Sequence, residues 1–359
     1  MHPNRDIFLF PYKDKWVLWD YLNHQQFEID SSTWARLHTI FNDPESFDSA
    51  STIDQSLTEN KLISETPSPQ REWGWDILSQ IFHIGTRDVP FGDSIATAED
   101  WAKLYQAHCK EVTSRNASAS QKNKVSECRS VKLIPPDLSK LEVCLKDTLL
   151  CRETSRVFHD EAVSLQEVST LLYLTLGFTT ELRTAPATSG LVTLGQRRTS
   201  PSSGGLNATE GYVYVNKVEG LESGVYYYDP YDHTLEYRKA LPSTPLGNTL
   251  SGQHFINNLP LGIWLTSRLD KLWWKYEHSR TYRMALIEVG HISQSIQLIA
   301  TGLKLQTWLT GAFHDASVEK ELCIESPHEQ ALFFVGIGHG SHAAIPSVLE
   351  ELITHQKAL

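Results

Sequence analysis

The run Arg197-Arg198-Thr199-Ser200-Pro201-Ser202-Ser203-Gly204-Gly205 sets short hydroxyl side chains beside two glycines, with arginines just upstream. Glycine lets a backbone approach a flat ligand, and serine offers donors and acceptors without bulk. Such a loop suits the edge of a planar heterocycle bearing a phosphate, and equally an ordinary surface turn. Upstream, Arg152-Glu153-Thr154-Ser155-Arg156 places two arginines four apart around a threonine. Two guanidinium forks and a hydroxyl can converge on one phosphate; the same residues also read as a helix end with solvated arginines. Downstream, Trp273-Trp274-Lys275-Tyr276-Glu277-His278 sets a Lys-Tyr pair against two tryptophans. Apolar walls disfavour an ammonium, which makes Lys275 a candidate base with Tyr276 sharing the proton. A snorkelling lysine over a packed tyrosine is the alternative.

Elements must carry these segments. Ser164-x-x-Glu167 is a capping box for a helix near Glu167–Thr175. Strands are expected near Gly211–Val215, Gly224–Tyr228 and Ala331–Ile337, and a long helix near Thr281–Leu303. This is an α+β pattern. Residues 1–65 read as a separate unit. Ile7–Phe10 and Trp16–Trp19 form strands around the turn Tyr12-Lys13-Asp14-Lys15, and Phe27–Ile29 a third. Asp30-Ser31-Ser32 caps a helix over Thr33–Phe41, a second helix lies near Ile53–Glu59, and Lys61–Ile63 returns as a strand. The order is winged-helix-like. Thr66-Pro67-Ser68-Pro69 reads as a linker and opens a second domain over 66–359, where Trp73–Gly85 looks helical. Val112–Ser130 is rich in Ser, Asn and Lys and reads as a mobile loop.

The set R-x-T-x-R-x-F, R-R-T-x-P-S-S-G-G, W-K-Y-E-x-x-x-x-Y-R and the helix Glu288-Val289-Gly290-His291-Ile292-Ser293-Gln294 resembles the SagB-type dehydrogenases. These are nitroreductase-like flavoproteins. The resemblance covers roughly Trp73 to the C-terminus, with the motifs in the family's order. It implies a nitroreductase-like fold: a central, mostly antiparallel sheet flanked by helices, in a dimer that builds each site from both subunits. It implies FMN as cofactor. Arg152, Thr154 and Arg156 fall at the phosphate positions. Pro201, Ser202, Ser203 and Gly204 match the loop that lines the isoalloxazine, and Asn207 falls near a position that hydrogen-bonds it. Lys275 and Tyr276 match the family's proton-abstracting pair, and Gly311, in Thr310-Gly311-Ala312-Phe313, matches the turn near the reactive flavin nitrogen. The first 65 residues resemble a peptide-recognising extension.

Two departures stand out. Glu153 replaces a frequent basic residue, and Gly336-Ile337-Gly338-His339-Gly340 lacks the late arginine or lysine, so that either His339 is the substitute phosphate donor or the site depends more on Arg152 and Arg156. The implied reaction is aromatisation of a peptidyl thiazoline or oxazoline, with oxygen reoxidising the flavin. A cyclodehydratase or a peptide synthetase is the implied partner. An NAD(P)H-dependent nitro or enone reductase is the competing enzyme class. A non-catalytic scaffold binding a leader peptide or carrier protein is the competing non-enzyme.

Composition fits a globular chain. Of 359 residues, 40% are hydrophobic and 21% charged, with a net charge of -11. That balance argues against non-specific nucleic-acid binding. No secretory signal and no apolar run of roughly 18 residues is visible, so a cytoplasmic location off the membrane is expected. The five cysteines lack C-x-x-C spacing, and the fifteen histidines form no H-E-x-x-H, so no metal site is expected. His339 and His342 stand close enough in sequence to face one ion, or simply to be solvated.

Overall fold

The computed structural model describes residues 1–67, 73–88, 97–115, 129–179, 196–324 and 327–356. Residues 68–69 of the linker expectation and 116–128 of the loop expectation lie outside these. The chain divides into two compact units, Met1–Phe91 with His278–Arg280, and Gly92–Glu277 with Thr281–Leu359.

In the first unit, β1 (His2–Pro3) pairs with β5 (Ile63–Ser64), while β2 (Ile7–Tyr12), β3 (Lys15–Asp20) and β4 (Gln25–Ile29) make a three-stranded antiparallel meander. The β2–β3 hairpin turns through Lys13, whose φ is 56°. Asp30 caps α1 (Ser31–Asn42) by accepting from the Thr33 amide. That helix and α2 (Thr52–Glu59) bury Leu37, Ile40 and Leu57 against Leu18, Ile29 and Ile63. Asp54 is fully buried, and the Arg36 fork at 2.6 and 2.5 Å holds its carboxyl below the usual range. α3 (Ile77–Gly85) belongs to the same unit, with Gly85 against the Trp19 indole. The boundary expected at residue 65 therefore falls inside this unit.

The second unit is built on a seven-stranded sheet in the order β12-β13-β11-β8-β9-β10-β6, antiparallel throughout. Its strands are β6 (Ser130–Lys132), β8 (Thr209–Val215), β9 (Gly224–Asp229), β10 (Thr234–Lys239), β11 (Leu261–Arg268), β12 (Gln306–Thr310) and β13 (Glu329–Gly338). The short β7 (Val157–Phe158) pairs separately with β14 (Gly340–Ser341). The helices are α4 (Ala98–Ser114), α5 (Leu145–Cys151), α6 (Leu165–Thr175), α7 (Leu246–Thr249), α8 (Leu269–Lys275), α9 (Tyr282–Gly302), α10 (Asp315–Leu322) and α11 (Ser347–Gln356).

Alternation along the central strands makes two cores. Val213, Val215, Ile263 and Leu265 face Leu171 and Leu172 of α6 and Val289, Ile292 and Ile296 of α9. Tyr212, Tyr214, Trp264 and Phe334 face the other way, toward Leu246, Val318 and Leu322. Both faces of β8 and β11 are thus covered, and every residue in them is buried. The Ser164–Glu167 box does cap α6. Helix α4 corrects one expectation: 112–114 are its last turn, not a loop. Among the described residues no helix is long and apolar enough to cross a membrane.

A charge is buried at the start of β13. Glu329 accepts a hydrogen bond from Thr266 Oγ1 at 2.6 Å, and burial, with Glu210 nearby, pushes its pKa from 4.5 up to about 7. The folded carboxyl keeps its proton to about pH 7 and the unfolded one only to 4.5. The stability this contributes is complete below pH 4.5 and is lost as pH rises through the folded value. Glu329→Gln mimics the neutral acid. It should leave thermal stability unchanged in the acid range and raise it by about 1–3 kcal/mol at pH 8, read by melting curves at both pH values.

Candidate functional site

Helix α8 starts where β11 ends, with no intervening loop. Leu269 and Leu272 seat it against Ala208 and Ala285. Asp270 in its first turn and Lys275 in its last complement the helix dipole. Lys275 closes the helix, and Tyr276 caps it through a 2.8 Å bond from its amide to the Leu272 carbonyl. Lys275 is fully buried. Its Nζ lies 5.8 Å from the Tyr105 ring centre, 5.5 Å from that of Tyr276, and donates to the Gly204 carbonyl at 3.4 Å. Tyr105 and Cys109 come from α4, one turn apart. Arg115, just past α4, donates to the Trp274 carbonyl at 3.1 Å and pairs with Glu277 at 2.9 Å, which fastens α4 to the end of α8.

Burial pushes the Lys275 pKa down, and nearby Cys109 offsets part of this. Burial pushes the Tyr276 phenol up. A helix C-terminus favours an ammonium by only about 0.3–1 kcal/mol. Loss of water costs a buried amine up to several pKa units, at roughly 1.4 kcal/mol each, so burial decides the direction. The arrangement offers an amine whose charge is disfavoured by burial, and so a better proton acceptor than a solvated lysine, with a phenol that holds its proton more firmly beside it.

The loop facing this amine is tied at three points. Ser200 Oγ lies 2.9 Å from Ser295 Oγ on α9. The Asn207 amide donates to Ser202 Oγ at 2.8 Å. The Asn207 side-chain amide donates to the carbonyls of Gln196 at 3.0 Å and Gly205 at 3.3 Å. The side-chain donors of Asn207, matched by resemblance to a cofactor contact, are therefore spent within the loop. Pro201 is exposed, while Ser202, Ser203 and Gly204 are half-buried. Gly204 has φ 60°, and a Cβ there would lie 2.5 Å from Tyr276 Oη and 2.7 Å from Lys275 Nζ. Both atoms end flexible side chains, so Gly204→Ala displaces the Lys-Tyr pair rather than the fold. Turnover should fall at least roughly tenfold, while the melting point drops by the few degrees that about 1 kcal/mol of left-handed strain removes.

The arginine segment follows α5. Arg152 Nη1 lies 3.4 Å from Gln297 Oε1 of α9. Thr154 bridges Thr307 of β12, and the Ser155 amide donates to the Thr307 carbonyl at 2.9 Å. Arg156 binds through its amide to the Ala343 carbonyl and through its guanidinium to that of Ala344. Glu153 is turned onto His342 Nδ1. Among the described residues no carboxylate pairs with Arg152 or Arg156. Two permanent cations with no such partner, beside a threonine, are a donor set that fits a phosphate. His339 lies 3.9 Å from Glu161, and its carbonyl accepts from the His159 amide. Gly311 is exposed just past the far end of β12, about 13 Å from Thr307 at a strand's rise per residue.

The structure thus brings together Lys275, Tyr276 and Gly204 in one group. Arg152, Thr154 and Arg156 form another on a single segment, with β12 running from it to Gly311. Three groups supporting the loop, two of them buried and Lys271 half-buried, escaped the sequence reading. Arg198 Nη1 donates to the Thr209 carbonyl at 2.6 Å, Glu288 Oε1 accepts from the Thr209 amide at 2.9 Å, and Lys271 donates to the Asn207 carbonyl at 3.3 Å. Glu288 and Arg198 lie within quoted motifs, but nothing in the motifs signals that both grip the backbone of one residue, Thr209. No group of His, Cys, Asp or Glu suited to a metal occurs among the described residues.

The Methanocaldococcus jannaschii protein MJ1384, described as a putative nitroreductase, is 30% identical over 56% of this chain and 93% of its own length. The trifolitoxin-processing protein TfxB of Rhizobium leguminosarum bv. trifolii is 29% identical over 41% of each chain. A chain of the E. coli microcin synthetase McbBCD complex aligns over 87% of this chain and 95% of its own, at 18% identity and a TM-score of 0.43. Residues 149–339, which run from the end of α5 to the end of the central sheet, match the nitroreductase family. More than half of the sequence is included, and the chain belongs to the nitroreductase family of flavin-using oxidoreductases.

Proposed function

We propose that this chain is an FMN-dependent dehydrogenase that oxidises a peptidyl thiazoline or oxazoline to the aromatic azole. The observation that carries the reading is the buried amine of Lys275, beside Tyr276 and against the Gly204 carbonyl. Hydride transfer from a reduced nicotinamide needs no buried base. Removing an acidic C–H proton does. The trifolitoxin-processing relative supports a role in maturing a natural product.

Arg152, Thr154 and Arg156 would hold the phosphate, and the Ser202–Gly204 loop with Gly311 would line the ring. FMN, once bound, supplies a two-electron hydride acceptor, with molecular oxygen as final oxidant. Lys275 Nζ, its charge disfavoured by burial, takes the proton from the ring carbon that was the amino-acid α-carbon. Tyr276 keeps its proton and steadies the lysine head. Closure by α4 through Tyr105 and Cys109 keeps water from the amine.

The active form is assigned as a homodimer. Leu145, Leu149 and Leu150 on α5, Leu286 and Ile287 on α9, and Val348 and Leu352 on α11 are exposed apolar side chains that a second copy would cover. The first unit is assigned to peptide recognition, with a cyclodehydratase or a peptide synthetase supplying the ring.

The test is reconstitution with FMN and a synthetic thiazoline peptide. The expected result is a mass loss of two hydrogens with oxygen uptake. The likeness to MJ1384 favours a reductase as the second reading. Fast flavin reduction by NADPH with an untouched thiazoline would establish that reading instead, and failure to take up flavin would leave the scaffold.

A further inference from the structure

Helix α8 presents two lysines one turn apart, at 271 and 275, on one face. Both reach carbonyls of the same loop. Lys275 Nζ lies 3.4 Å from the Gly204 oxygen and Lys271 Nζ lies 3.3 Å from the Asn207 oxygen. Asn207 is the loop's pivot: its φ is 48°, and its side chain ties back to Gln196 and Gly205. Lys271 is itself aimed by Glu210 of β8, at 2.6 Å. Glu210 is buried, and Tyr227 donates to its other oxygen at 3.0 Å. On the same short segment the Arg268 amide donates to the Ala208 carbonyl at 2.8 Å.

We propose that Lys271, aimed by Glu210, is a positioning residue that clamps the Asn207 carbonyl and so fixes the Gly204 turn over the Lys275 amine. The clamp rests on the site reading given above, in which Lys275 is the proton acceptor. Its logic is mechanical. The loop carries two glycines at positive φ, Gly204 and Gly205, and little restrains such a backbone locally. One helix grips the loop at two points three residues apart, which turns a pliant turn into part of α8. A buried charge pair is expensive as a source of stability and well suited to fixing a register. The groups facing Lys275 from neighbouring elements, Tyr105, Cys109 and Tyr276, stay in place when Lys271 changes, so an altered Lys275 reports on the loop.

The experiment uses the full chain without flavin and then with it. Lys271→Met leaves Glu210 buried without its cation and is paired with Lys271→Met/Glu210→Gln, which removes both charges and preserves folding. Acetic anhydride labelling of the flavin-free protein, read at Lys275 by peptide mass, should be at least tenfold faster in the double variant, at an unchanged melting point. With flavin and thiazoline peptide, the ascending limb of its rate–pH profile should move upward toward an ordinary lysine value. Lys271→Arg, which can still donate to both oxygens, should restore both readouts. Parental labelling and a parental pH profile in the folded double variant would overturn the clamp. If even the parent leaves the thiazoline untouched, the azoline reading fails, and the labelling arm alone still decides whether Lys271 positions the loop.

Discussion

Lys275→Met abolishes azoline oxidation, by about 10²–10⁴-fold, while the protein remains yellow and at least as stable as the parent. The three outcomes come from one fact. The amine is fully buried, so its charge is disfavoured and it gives up its proton more readily than a solvated lysine. Methionine fills the space with no polar head to desolvate, so folding gains rather than loses. The sign can be worked out. A lysine with a depressed folded value costs stability while the unfolded amine is protonated, and the cost vanishes as pH rises past about 10.4. The stability gain of Lys275→Met should therefore be largest in acid and fade as pH rises toward about 10.4. In the parent, the rate should rise with pH along a limb below that ordinary lysine value. Full turnover in Lys275→Met, or a destabilised variant, would remove the lysine from the role assigned to it. Tyr276→Phe should cost less, about tenfold, because it removes a proton-sharing neighbour and not the base.

Arg152→Ala/Arg156→Ala weakens FMN binding by about 10²–10⁴-fold and leaves riboflavin binding nearly unchanged. Each guanidinium bond to an anion contributes roughly 1.5–3 kcal/mol, and the two act on one group. Riboflavin lacks the phosphate, so it separates anchoring from pocket collapse. Fluorescence titration of the flavin-free protein with each ligand reads the difference. The acidic Glu153 between the arginines does not cancel them, because His342 engages its carboxylate. Equal loss of both ligands would mean that the arginines support the fold instead.

Much of this site is legible in the sequence where chemistry is dense. Lys275 and Tyr276 are adjacent in the chain and share a helix end, so their partnership needs no tertiary information. The Ser164–Glu167 box and the Asp30 cap are local hydrogen-bond devices, and both form where the residue order puts them. What stays hidden is what depends on distance in the chain. Strand β11 shows no polar–apolar alternation because both its faces are covered, so periodicity does not announce it. Glu210 meets Lys271 across 61 residues, and Glu288 meets Thr209 across 79. No spacing rule connects such pairs. Asn207 is the instructive case. The resemblance places it near a cofactor contact, and the structure adds a left-handed backbone and side-chain amide bonds to Gln196 and Gly205 that residue order does not announce.

The direct passage from β11 into α8 has a consequence for how this protein tolerates change. The peptide hydrogens of β11 are paired on both sides and sealed above and below, so they should be among the last in the molecule to trade with heavy water. The lysine is bolted to that slowest-exchanging strand through a single short helix. Insertions and sequence drift in the surface loops can therefore reshape what the pocket admits while the base keeps its address.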